Sequence, residues 1–258
     1  MTAEASESRR RRGAYLLPNL PNLFTTAALF CGFYAIIAAL QNRFELAAMA
    51  VFGAMVLDGL DGRIARLTHT ESEFGAQYDS MADLISFGLA PALIMYEWAL
   101  GSMVNMGPLL SKLGWLAAFF YTVMAALRLA RFNVQIGSTD KRYFIGLPSP
   151  SAAAIVSGLV WLGTDLDLTG VQLLWPALVV TIGAGALMFS KILYFSFKQV
   201  DVRSQGPFIS AFLVVLILVV ISMAPAKVLF CGFLLYGLSG PALWLWRWRR
   251  HNRRQTGI

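Results

Sequence analysis

Apolar positions along this chain come in long blocks, and the polar residues collect in the gaps between them. The blocks at 22–40, 45–67, 75–99, 108–128, 148–164, 172–190, 208–223 and 227–246 each read as a helix. A helix needs about 20 residues to cross the hydrocarbon core of a bilayer, and most of these blocks approach that length. The pattern therefore predicts an all-α fold, a polytopic transmembrane bundle of about eight helices. The weakest block is 172–190, where Gly183-Ala184-Gly185 favours a loose helix. The chain shows no internal repeat, low-complexity tract or sign of a second domain. It divides into an arm at 1–21, a transmembrane domain at 22–246 and a basic tail at 247–258.

Composition reinforces this. Over 258 residues, 57% are hydrophobic and 14% charged, with a mean hydropathy of +0.62. A typical soluble domain carries roughly 25% charged residues, so that class is excluded. The net charge of +7 invites a nucleic-acid reading, but the placement of the charges argues against one. Arg9 to Arg12 and the five arginines between Arg247 and Arg254 flank the first and last apolar blocks. That is where topology determinants and contacts to anionic lipid headgroups fall. With both termini in the cytosol, eighteen of the 21 basic residues lie on the cytosolic side, leaving Arg43, Lys112 and Lys227 outside. The arginine-rich start lacks a short apolar core and cleavage site, so it reads as a cytosolic arm and not a signal peptide. Cys31 and Cys231 both lie within apolar blocks and read as small buried side chains.

Against this background one stretch stands out. Asp58, Asp61, Asp79 and Asp83 lie within 26 residues of membrane-like sequence, in the pattern D-x2-D-G-x2-A-R-x8-G-x3-D-x3-D. Each ionised carboxylate costs roughly 2.5–3.5 kcal/mol in a bilayer, so the group requires compensation. At 100° per residue, Asp58, Asp61, Gly62, Ala65 and Arg66 share a sector of about 140°. Gly75, Asp79 and Asp83 form a second stripe at i, i+4 and i+8. Facing stripes would converge four carboxylates, a set suited to one or two hard cations such as Mg²⁺ or Mn²⁺. Gly62 and Ala65 let a bulky group approach the backbone, and Arg66 offers a planar fork for phosphate oxygens. A proton relay, or salt bridges to nearby arginines, is the competing reading. The glycines and Ala-Arg in register favour the metal–phosphate one.

The whole pattern resembles the signature of the CDP-alcohol phosphotransferase family. The stretches Leu17-Pro18-Asn19 through Cys31-Gly32-Phe33, Glu73 to Ser80, Arg128 to Asn133 and Gly146-Leu147-Pro148-Ser149-Pro150 are similar to its integral-membrane bacterial phosphatidylserine synthase branch. The resemblance covers about the first 160 residues and implies a catalytic core within about 22–200. It implies attack by the hydroxyl of L-serine on CDP-diacylglycerol with release of CMP. It also implies a homodimer among membrane lipids, in a bacterial inner membrane, and the distribution of basic residues puts the active site on the cytosolic side. Carried onto this chain, Asp58, Asp61, Asp79 and Asp83 would hold two divalent cations, and Asp83 would also act as general base. Gly62, Ala65, Arg66 and Gly75 would cradle the cytidine diphosphate, joined by Asn22 and Thr25. The sequence departs from the family at Ala28, where members often carry asparagine.

Outside the motif, Arg128, Arg131, Lys141 and Arg142 cluster at a cytosolic helix end. They read as topology charges or, for the two arginines above all, as contacts to the acceptor or to phosphate. His69 lies in the loop between the motif helices and reads as solvated. Within the family, glycerol phosphate or inositol phosphate are the alternative acceptors. A cation- or proton-coupled transporter is the alternative from another class.

Overall fold

The computed structural model of the chain describes residues 20–68, 72–134, 143–195 and 207–255. The apolar blocks fold into α1 (Leu20–Leu40), α2 (Phe44–Thr68), α3 (Glu73–Asp83) and α4 (Ala90–Trp98), with a π-helical segment at Leu84–Leu89 joining the last two. A 3-10 segment (Leu100–Met106) leads into α5 (Pro108–Val134). Then come α6 (Ser149–Asp165), α7 (Leu174–Phe189), α8 (Pro207–Met223) and α9 (Pro225–Gln255). Among the described residues, Asn22–Leu40, Pro108–Val134 and Pro225–Trp246 are long and apolar enough to cross a membrane. The rod formed by α3, α4 and the 3-10 segment makes a fourth candidate if its 42° bend lies within one broken span. The chain is thus a helical membrane protein, with three or four such spans among the described residues. The expectation of eight crossings goes beyond them: α7, for example, has 16 residues and reaches only about 24 Å. Large apolar side chains such as Phe30, Phe33, Leu109, Phe119 and Val179 remain exposed, which suits a surface whose solvent is lipid.

The first two helices set the frame. Residues Gln41-Asn42-Arg43 reverse the chain, with Asn42 at φ 60° and the Arg43 amide donating to the Ala38 carbonyl at 2.9 Å. Asparagine tolerates this left-handed conformation better than most residues. Ala35, Ala38 and Ala39 on α1, and Ala47, Val51 and Ala54 on α2, are all buried in one core. Small side chains let helix backbones approach closely in a membrane.

Asp83 ends the regular part of α3, and the π-helical segment begins with the next residue. Two neighbours hold that segment. On α1, Gly32 lies so close to Ser86 that a β-carbon would meet the serine backbone, and the Ser86 hydroxyl donates to the Ala28 carbonyl at 3.2 Å. On α5, the buried Tyr121 donates its hydroxyl to the Phe87 carbonyl at 3.0 Å. Asp83 is thereby fixed between α1 and α5.

One feature departs from the all-α expectation. Tyr143–Ile145 and Leu193–Phe195 pair antiparallel, with Tyr143 opposite Phe195 and Ile145 opposite Leu193. Three residues are too few to show the two-residue alternation by which a strand is recognised in sequence. The ladder leads into Gly146 (φ 79°), whose amide donates to the Ile192 carbonyl at 2.8 Å. The Leu147 amide then donates to the Leu187 carbonyl at 2.9 Å. This short latch sets where α6 begins. At the other end of the chain, α9 continues to Gln255, through most of the stretch read as a basic tail.

Candidate active site

The second half of α2 carries Asp58 and Asp61, and α3 carries Asp79 and Asp83. Ser72 caps α3, its hydroxyl accepting from the Gly75 amide at 3.0 Å, so the helix starts at a defined point. Ligand oxygens of Asp58, Asp61 and Asp79 all lie within 4.8 Å of one another. The Asp83 carboxyl is hydrogen-bonded to that of Asp58 and also lies in the field of Asp79. The structure thus gathers the four aspartates that the sequence pattern singled out.

Their surroundings fit a hard cation. Asp61 is buried, and Thr25 on α1 donates to its Oδ2 at 2.8 Å, which orients the carboxylate. The Oδ1 of Asp79 is buried and has no hydrogen-bond partner. Crowded carboxylate oxygens repel in a low-dielectric interior, and an all-oxygen set of this kind suits Mg²⁺ or Mn²⁺ better than zinc.

The expected diphosphate cradle lies alongside. Gly62 is exposed, and a β-carbon there would come no nearer than 4.0 Å to Arg66, so that face of α2 is open. Ala65 belongs to the same helix. Arg66 lies back along the helix, its Nε donating to the Gly62 carbonyl at 2.7 Å. At Gly75 the fit is tight, since a β-carbon would sit 3.1 Å from the Ser72 hydroxyl and 3.4 Å from the Asn22 Oδ1. Asn22 therefore adjoins Gly75, while Thr25 reaches Asp61. Next to them, the Thr26 hydroxyl donates to the Asn22 carbonyl at 2.7 Å and shares a 2.9 Å hydrogen bond with the Tyr78 hydroxyl. The start of α1 is in this way fastened to α3.

The two arginines of α5 part company. Arg128 lies in the field of Asp83, and its Nη1 donates to the hydroxyl of Ser149 on α6. Its Nε is buried with no hydrogen-bond partner. Arg131 turns to the C-terminus of α7, donating to the Phe189 carbonyl at 2.9 Å and stacking over the Phe189 ring at 4.0 Å. It is engaged as a cap of that helix, as cations near a helix C-terminus often are. His69, Lys141 and Arg142 lie outside the described residues.

Several residues at the site were given no role by the sequence reading. Ser149 holds Arg128. Ser80, between the aspartates of α3, is tied to Asn133 of α5, whose Nδ2 donates to the serine hydroxyl at 3.0 Å. Both lie in stretches already similar to the family, Asn133 closing the Arg128–Asn133 run and Ser149 within Leu-Pro-Ser-Pro. The signal was present, but only three-dimensional contact turns it into a role.

Comparison with known proteins places this geometry in context. The family described as CDP-alcohol phosphatidyltransferase matches residues 18–183. A CDP-diacylglycerol–serine O-phosphatidyltransferase of Helicobacter pylori is 37% identical over 224 residues, 84% of this chain and 89% of its own length. The enzyme of that name from Bacillus subtilis is 32% identical over 180 residues, 70% of this chain and 92% of its own length. A third, from Methanocaldococcus jannaschii, is 32% identical over 205 residues, 80% of this chain and 85% of its own length.

Proposed function

The chain belongs to the CDP-alcohol phosphatidyltransferase family, and from that membership we propose that it transfers the phosphatidyl group of CDP-diacylglycerol to L-serine, giving phosphatidylserine and CMP. The observation that carries the reading is the convergence of Asp58, Asp61 and Asp79, with Asp83 beside them, on the family's own motif. In the reaction the serine hydroxyl oxygen forms a bond to the phosphatidyl phosphorus. The bond from that phosphorus to the oxygen of CMP breaks, and the hydroxyl proton passes to Asp83. A positioned carboxylate base of this kind contributes about 10²–10⁴-fold.

Asp58, Asp61 and Asp79, joined by Asp83, would hold the divalent cations, which we take to be two Mg²⁺ or Mn²⁺ ions. When bound they neutralise the diphosphate and the charge that builds on CMP. Thr25 keeps Asp61 in its ligating orientation. The open face at Gly62, with Ala65, Arg66, Gly75 and Asn22, receives the cytidine diphosphate. Arg128, enclosed near Asp83, receives the serine carboxylate, and Arg131 steadies the helix end beside it. Seated in a bacterial inner membrane with both termini in the cytosol, the site opens to water-soluble serine while the acyl chains stay in lipid. The excess of basic residues on that side supports this orientation, and resemblance supports a homodimer.

The test is CMP release by the purified protein given CDP-diacylglycerol with L-serine, glycerol phosphate or inositol phosphate in turn. Serine alone supports release, and chelating divalent metal abolishes it. Release only with a phosphorylated acceptor would sink the serine assignment and leave the family intact.

A further inference from the structure

Two consecutive threonines of α1 reach the two helices that carry the aspartates. Thr25 donates to Asp61 on α2, and Thr26 meets Tyr78 on α3. The first contact serves a metal ligand. The second joins two residues that take no part in the chemistry itself, although Tyr78 directly precedes Asp79.

The direction of the Thr26–Tyr78 hydrogen bond follows from counting protons. A threonine hydroxyl has one to give, and that of Thr26 goes to the Asn22 carbonyl at 2.7 Å. Across the 2.9 Å to Tyr78 the phenol is therefore the donor. A hydroxyl that accepts in this way becomes a better donor itself, so the chain Tyr78–Thr26–Asn22 is cooperative. The Tyr78 ring is also held, lying nearly parallel to that of Phe74 one turn back, with centroids 6.2 Å apart and planes at 10°.

The chain of hydrogen bonds ends in the first turn of α1, where helices fray unless they are tied. Gly75 and Tyr78 are three apart on α3, and Asn22 and Thr26 are four apart on α1, so each pair shares a helix face. The two faces meet at both positions. The Asn22 Oδ1 lies over Gly75, 3.4 Å from where a β-carbon would stand, while the phenol grips Thr26.

We propose that Tyr78 is a positioning residue for the nucleotide: acting through Thr26, its phenol holds Asn22 over Gly75 and so sets the affinity for the cytidine end of CDP-diacylglycerol. The proposal rests on the reading above that places Asn22 at the cytidine diphosphate, and it holds for any acceptor. It divides the labour of α1, with Thr25 acting on the metal and Thr26, through Tyr78, on the nucleotide.

The experiment uses the full-length protein in detergent with Mg²⁺ and titrates CMP, which carries the nucleotide without acyl chains and needs no acceptor. Tyr78→Phe should weaken CMP about fivefold, the worth of one neutral hydrogen bond. In mixed micelles the KM for CDP-diacylglycerol should rise by the same factor. The KM for L-serine and the Mg²⁺ needed for half-maximal activity should not move, a separation that general loosening of the fold would not produce. Thr26→Val should match Tyr78→Phe, and Thr26→Ser, which keeps the hydroxyl, should bind CMP like the unaltered protein. Because both variants break one chain, adding Tyr78→Phe to Thr26→Val should cost nothing more. This second series reads the same link if the phenylalanine variant folds poorly. Unchanged CMP affinity, a rise in lipid KM without one for CMP, a shifted Mg²⁺ requirement or additive losses in the double variant would each overturn the proposal. Undiminished CMP binding by Asn22→Ala would overturn it through its premise, a result that involves no Tyr78 variant.

Discussion

Thr25 and Asp83 show how much a single side chain can control here. Thr25 donates to the Oδ2 of buried Asp61, so Thr25→Val leaves that oxygen without its donor while keeping the shape. Partners that orient a metal ligand are typically worth 10–100-fold in metal affinity. The variant should therefore need at least about tenfold more Mg²⁺ or Mn²⁺ for half-maximal activity, measured by metal titration at saturating lipid. Asp83→Asn should behave differently. Amide and carboxyl are nearly isosteric, so CDP-diacylglycerol should still bind, while kcat falls by about 10²–10⁴-fold for loss of the base. Equilibrium binding of the nucleotide lipid beside single-turnover CMP release separates the two effects. Retained turnover would remove Asp83 from the role of base.

Helices place these side chains through a few close contacts. The approach of α1 to the π-helical segment depends on Gly32, where a β-carbon would meet the Ser86 hydroxyl and, just behind it, the Ser86 Cα and Cβ. Gly32→Ala should cost about 1–3 kcal/mol by overpacking, seen as a lower Tm in detergent, with a loss of activity because Asp83 immediately precedes the displaced segment. The Ser80–Asn133 clamp ties α3 to α5 on the other side. Asn133→Ala leaves Ser80 its bond to the Ala76 carbonyl, so the fold should persist. A small misplacement of the aspartates should still lower kcat roughly tenfold with little change in Tm. Neither contact is legible in the sequence, because Gly32 and Ser86, or Ser80 and Asn133, lie more than fifty residues apart.

Across the whole molecule, orientation in the membrane follows from where the basic residues fall. Asp165 at the end of α6 and Lys227 at the start of α9 form an ion pair at 3.7 Å, so those two helix ends lie on one side. In the proposed topology that side is external, along with Arg43 and Lys112, while Arg63 faces the cytosol. With Cys31 and Cys231 replaced by alanine, Lys112→Cys and Lys227→Cys should react with a membrane-impermeant maleimide in intact cells. Arg63→Cys should react only after permeabilisation. The reverse pattern would invert the topology and place the aspartates on the outer face.

Sequence alone determined the class and the shared chemistry. Long apolar blocks are a local property, and so is the spacing that puts Asp58 with Asp61, and Asp79 with Asp83, on single helix faces. Helical periodicity converts such spacings into geometry with no knowledge of the rest of the chain. Tertiary structure alone decided which residues serve those aspartates. Thr25 meets Asp61 across 36 positions of sequence, and Ser149 meets Arg128 across 21. It also turned Arg131 toward the end of α7, though in sequence it sits three residues from Arg128 in the same basic cluster. The short strands belong to the same category. Periodicity fixes the direction of a side chain relative to its own helix, whereas a partner on another helix is chosen by how the whole chain packs.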